Sequence, residues 1–133
     1  MEELIEQLTE KSESVPVPLE PATDEHVLEA EESIFLPLPA EYRVFLKTGA
    51  HLSVGRLEPC QVSDPASHTY LAEVTAQAWD VGLDRQFFPI CEDSGAYYCM
   101  TPEGHVKYWD MGDYAETTWE SIWEWVEDVW LGG

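Results

Sequence analysis

The chain has 133 residues, 27 of them acidic and 6 basic, for a formal net charge of −21, and 44% of it is hydrophobic, including six Trp, six Tyr and four Phe. A surface this acidic repels nucleic-acid phosphates and anionic lipid, and it attracts basic partners over a Debye length, about 8 Å in physiological salt. The apolar and aromatic content excludes disorder, and no run of about eighteen apolar residues is present to span a membrane as a helix.

The acids are unevenly placed. Residues 1–33 hold eleven acids and one Lys, residues 34–90 six acids and four bases, and residues 91–133 ten acids and one Lys. The opening Met-Glu-Glu-Leu-Ile-Glu lacks the basic and apolar regions of a signal peptide. Cys60, Cys91 and Cys99 are odd in number and have no CxxC spacing, which favours reduced thiols and a cytoplasmic protein.

In chain order, Leu4, Ile5 and Leu8 share one face of a first amphipathic helix. Pro16, Pro18 and Pro21 break it and make an extended connector, so residues 1–22 read as a helix and linker ahead of a domain over 23–133. Thr23 or Asp24 caps a second helix running to about Ser33. Pro39 opens a third, which continues through Lys47 and stops at Gly49. On it Leu38, Tyr42, Phe45 and Leu46 share a face, and Arg43 and Lys47 lie opposite, where Glu residues of the second helix are their expected partners.

The middle of the chain predicts a weak strand over Leu52–Leu57 and a helix over Ala66–Val81 ended by Gly82. A meander follows: a strand from Gln86 to Ile90, the turn Glu92-Asp93-Ser94-Gly95, a strand over Ala96–Met100, the turn Thr101–Gly104 and a strand over His105–Trp109. A two-residue turn at Ser94-Gly95 sets Cys91 opposite Tyr98 and Cys99 opposite Ile90. Asp110-Met111-Gly112-Asp113 reads as a turn before a final helix that begins near Thr118, with Thr117 and Glu120 in a capping-box pattern. In that helix Trp119, Ile122, Trp123, Val126, Val129 and Trp130 form an apolar stripe, with Glu120, Glu124, Glu127 and Asp128 on the other face. Trp125 falls on the flank, either finishing the core edge or standing half-exposed as an aromatic anchor for a partner.

No chemistry-bearing motif accompanies the charge. His26, His51, His68 and His105 have no metal-ligand spacing, Cys91, Cys99 and His105 do not make a zinc site, and Asp110–Asp113 lacks the oxygens of an EF-hand. Gly-x-Ser-x-Gly and phosphate-cradling glycine loops are absent. The expectation is a protein without catalysis, metal or cofactor, and without nucleic-acid or membrane binding.

The order of motifs resembles the SUKH superfamily, the Smi/Knr cell-wall-regulator-like family. The residues that carry the resemblance are Glu31, Leu38-Pro39, Tyr42, Phe45, Leu46 and Gly49, then Asp93 and Gly95, Trp109 and Asp110, and the last helix with Ile122, Trp123 and Val126. Phe35 stands where the family often has Gly, and Thr48-Gly49 replaces the usual Asn-Gly. The resemblance implies an α+β domain, a mostly antiparallel sheet with helices packed around it. It also implies a binding role, either as an immunity protein that neutralises a basic, nuclease-like toxin or as an intracellular scaffold recognising peptides or client proteins. Asp93, Asp110, Asp113, Glu124, Trp125 and Asp128 are the candidate partner-binding residues. The partner expected is a basic protein, and the protein itself is a monomer or weak dimer.

Overall fold

The computed structural model describes residues 2–132. Helices α1 (Glu2–Lys11), α2 (Asp24–Ile34), α3 (Ala40–Thr48) and α4 (Leu71–Asp80) precede strands β1 (Phe88–Asp93), β2 (Ala96–Met100), β3 (Val106–Asp110) and β4 (Asp113–Trp119). A short helix α5 (Ile122–Trp125) runs directly into a π-helical turn, Val126–Trp130. The strands form one antiparallel sheet in the order β1-β2-β3-β4, an α+β domain.

The central strands are covered on both faces, which is why β2 reads as a nearly continuous buried run rather than an alternating one. On one face Tyr98 packs against Tyr108, Trp119 and Trp125, with ring centroids 4.8, 5.7 and 5.5 Å away. On the other, Tyr97 and Trp109 lie side by side beneath α4 and the Gly82 turn that ends it. The helical hairpin of α2 and α3 is tied by a carboxylate clamp. Glu31 Oε2 accepts the Leu38 N–H and an Arg43 guanidinium N–H, both at 2.7 Å, while Arg43 Nε donates to the Leu38 carbonyl at 2.9 Å. This explains the seven-residue step from Glu31 to Leu38: one carboxylate holds both the Leu-Pro turn and the helix that follows it. Lys47 bridges to Asp24, so both cations of α3 pair with acids of α2.

Helix α1 lies on the same core. Leu8 is buried, and a Cβ at Gly49 would sit 3.1 Å from Ile5 Cδ1, so this glycine permits close helix approach as well as ending α3. Its φ of −135° does not require glycine.

Several expectations are corrected. Leu52–Leu57 is not a strand, because its polar groups are used elsewhere. Ser53 O accepts the Glu13 N–H, Ser53 N–H reaches Ser12 Oγ, and Val54 O accepts the Trp130 indole. Helix α4 starts at Leu71 rather than Ala66, since Gln61 pairs with Thr69 and Leu71 and holds residues 66–70 as turns. A β-bulge after Pro89 places Cys99 opposite Pro89 instead of Ile90, while Cys91 does face Tyr98. Finally, Asp110–Asp113 joins two strands. Met111 and Gly112 both have positive φ, 51° and 94°, as do Ser94 and Gly95, so type I′ turns close the β1–β2 and β3–β4 hairpins.

Strand β4 therefore occupies the place expected to begin the last helix. Thr118 and Trp119 pair with Lys107 and Val106, and the helix starts only after Ser121. Ser121 Oγ accepts the Glu124 N–H as the N-cap and Glu124 Oε2 accepts the Glu120 N–H one residue before it, so the cap lies at Ser121 and not at the expected Thr117–Glu120 box. The π turn then brings Trp125 and Trp130 into a stack at 6.4 Å, because i→i+5 geometry aligns residues that an α-helix would separate. Trp125 is 0% exposed. It is core, and the partner-anchor expectation for it is overturned.

Trp125→Ala should accordingly cost about 3–5 kcal/mol in urea unfolding. Trp125→Phe keeps a ring and deletes an indole N–H that has no partner among the described residues, so it should retain most of that stability. Glu31→Ala leaves the Leu38 amide and Arg43 without their shared acceptor. Its expected cost is about 1–3 kcal/mol, read as a lowered urea midpoint with unchanged slope.

Candidate functional site

Two concave regions carry acids. The first runs along the β3–β4 hairpin and the last helix, where residues 108–132 contain seven acids and no Lys, Arg or His. The hairpin places Asp110 directly opposite Asp113 at its tip, with Met111 between them 90% exposed. At the other end of β4 a groove of about 650 Å³ is lined by Thr117, Thr118, Trp119, Glu124, Glu127 and Asp128. Glu124 is positioned by the helix cap, and Asp128 Oδ2 accepts the Trp119 indole N–H at 2.8 Å, which docks the helix on the strand. Both carboxylates remain exposed despite these bonds.

The second region is a cleft of about 710 Å³ between residues 56–69, α4 and the β1–β2 turn. Asp93 lies here, held by Arg56 at 2.6 Å. Glu58 and His68 pair at its rim, and Glu73, Gln77, Glu92 and Tyr97 complete its walls. The loop that supplies Pro65–Thr69 to one wall is organised by Gln61, whose Oε1 accepts the amides of Ser63 and Asp64 and whose Nε2 donates to the Asp64 carbonyl. Gln61 is 1% exposed, so its full set of hydrogen bonds holds this loop in one shape.

Of the six candidates, Asp110 and Asp113 come together at the hairpin tip, and Glu124 and Asp128 share the groove at the far end of the same strand. Asp93 stands apart in the second cleft and is already paired with Arg56. Trp125 lies beneath the first region rather than on it. Sequence reasoning did not single out Glu116, Glu120 and Glu127, which extend the acidic flank; the base-free stretch over 108–132 was the signal that marks them. Gln61 left no signal, since its role depends on the loop that closes around it.

The three thiols are buried and free. Burial is the main cause that holds Cys91 and Cys99 up at about 12, with Asp93 and Glu92 adding to it for Cys91, and burial also pushes Cys60 well up. At neutral pH all three are protonated and so are weak nucleophiles and weak metal ligands. Among the described residues, no group of three or more His, Cys, Asp or Glu is placed to hold a metal ion. No described helix is long and apolar enough to cross a membrane.

Fold and surface together define an α+β domain in which helices pack around a four-stranded meander, with β4 at an open edge and an acidic C-terminal flank. The chain belongs to the SUKH family: the SUKH_5 family model, described as SMI1-KNR4 cell-wall, matches residues 1–131. It is also similar to a crystal structure of a protein from Pseudomonas syringae pv. tomato, with a TM-score of 0.97 and 47% identity over 100% of both chains. No curated protein matches the chain.

The buried, protonated thiols set an expectation for the folded protein. Iodoacetamide at pH 8 should leave Cys60, Cys91 and Cys99 unmodified in the native state and label all three in urea, as read by intact mass.

Proposed function

We propose that this protein is a non-catalytic binding module whose acidic C-terminal flank neutralises a basic, nuclease-like toxin domain, an immunity-type role in the cytoplasm. The observation that carries this reading is the base-free flank: seven acids over residues 108–132, most on exposed positions of the hairpin, β4 and the last helix. A nuclease presents cations to phosphates, and an array of carboxylates held on a rigid sheet competes for the same cations. Family membership is consistent with a binding role. The same charge disfavours nucleic acid and anionic membranes as partners.

A second reading, a scaffold that recognises peptides, draws support from the other cleft. Its mixture of apolar and polar walls, Leu57, Val74 and Tyr97 beside Ser67, Thr69 and Glu92, suits a peptide of mixed character.

The two readings separate in one experiment. Under the immunity reading, a basic nuclease domain encoded beside this gene is lethal alone, and co-expression of this protein restores growth. Purified, the pair should associate at a rate that falls by about tenfold or more from low to physiological salt. A gene neighbourhood without a toxin domain, or association indifferent to salt, overturns the immunity reading.

A further inference from the structure

The fold treats the two edges of its sheet differently. The outer edge of β1 is covered, since Cys60 N–H donates to Ile90 O at 2.8 Å and Pro59 bridges Cys91. Strand β4 pairs with β3 alone, and among the described residues its backbone makes no further hydrogen bonds from Asp113 to Thr118. Those six residues are all exposed. The outer side of the strand therefore offers unpaired donors and acceptors at both of its ends, on either side of the bulge opposite Tyr108.

Open edges in monomeric proteins usually carry Lys or Pro against unwanted pairing. β4 carries neither; its charged residues are Asp113 and Glu116, and the hairpin and groove at its ends add Asp110, Glu124 and Asp128. Ala115, Glu116 and Thr117 bulge opposite the single residue Tyr108, which adds twist, while the strand stays continuous to Trp119. A second copy of this chain is a poor occupant: edge-to-edge pairing would set the acids of one β4 against those of the other, and each copy carries −21.

We infer that β4 takes up an extended Lys- or Arg-rich segment of the basic partner as a fifth strand. The backbones pair within Asp113–Thr118, and the partner's cations meet Asp113, Glu116 and the Glu124–Asp128 groove. Main-chain bonds supply the register and the carboxylates select the sign of charge. This inference rests on the proposed binding role and specifies how that surface is used.

The test uses the full chain with a labelled seven-residue peptide alternating Lys and Val, and the same peptide N-methylated at every internal amide. Both carry equal charge, but only the first can pair as a strand. Strand addition predicts that the unmodified peptide slows amide exchange within Asp113–Trp119, that N-methylation weakens binding about tenfold or more, and that Glu116→Lys at this exposed position weakens the unmodified peptide similarly. Equal, salt-dependent binding of both peptides with no protection in β4 overturns strand addition and leaves the basic-partner reading standing. Failure of both peptides to bind at low salt overturns both.

Discussion

The packing of Tyr98 against Trp119 and Trp125 is the contact on which the rest of the molecule depends. Tyr98 belongs to the central strand, Trp119 ends the edge strand and Trp125 sits in the last helix, so one cluster joins three elements. Aromatic rings bury large areas with directional contacts, and such a cluster fixes orientation as well as proximity. Once the inner side of the last helix is committed to Ile122, Trp125, Val126 and Trp130, its carboxylates have only the outer side left. The acidic flank is thus a consequence of core packing. The Trp119 indole reinforces this by bonding Asp128, so that an acid of the outer face also anchors the helix.

Between α2 and α3, the Glu31 clamp does similar work with polar groups. A carboxylate with two donors at 2.7 Å orders the Leu-Pro turn and places α3, whose Tyr42 and Phe45 enter the core. Phe45 in turn meets Trp130 edge-on at 5.9 Å, which couples the helical hairpin to the C-terminal turn. A rigid platform of this kind reduces the ordering cost of presenting charge to a partner.

Local signals made part of this architecture legible. Thr23 caps α2, Pro39 and Gly49 bracket α3, and Ser94-Gly95 closes the first hairpin, each through backbone chemistry that needs no tertiary partner. The α2 capping box completes with His26 rather than an acid, its ring nitrogen accepting the Thr23 N–H. Strand β4 was hidden because an edge strand exposed on both faces has no burial to imprint a period of two, and its Asp, Glu and Ala residues are weak strand formers. The turn at Asp110–Asp113 was legible, but Met111 hid its hairpin type, since positive φ is unusual for that side chain. Of the candidate site, the acids were legible as charge, but their grouping along one strand and the separation of Asp93 were not.

By itself, the sequence determined the composition of this protein's surface, its α+β class and its family likeness, because charge, capping and turn chemistry act within a few residues. Only the tertiary structure decided which side of the C-terminal segment faces inward. Trp125 looked peripheral at α-helical spacing, and the late helix start and π turn carried it into the core. The open edge of β4 likewise exists only once the sheet is assembled, for an edge is a property of what lies beside a strand and not of the strand's own residues.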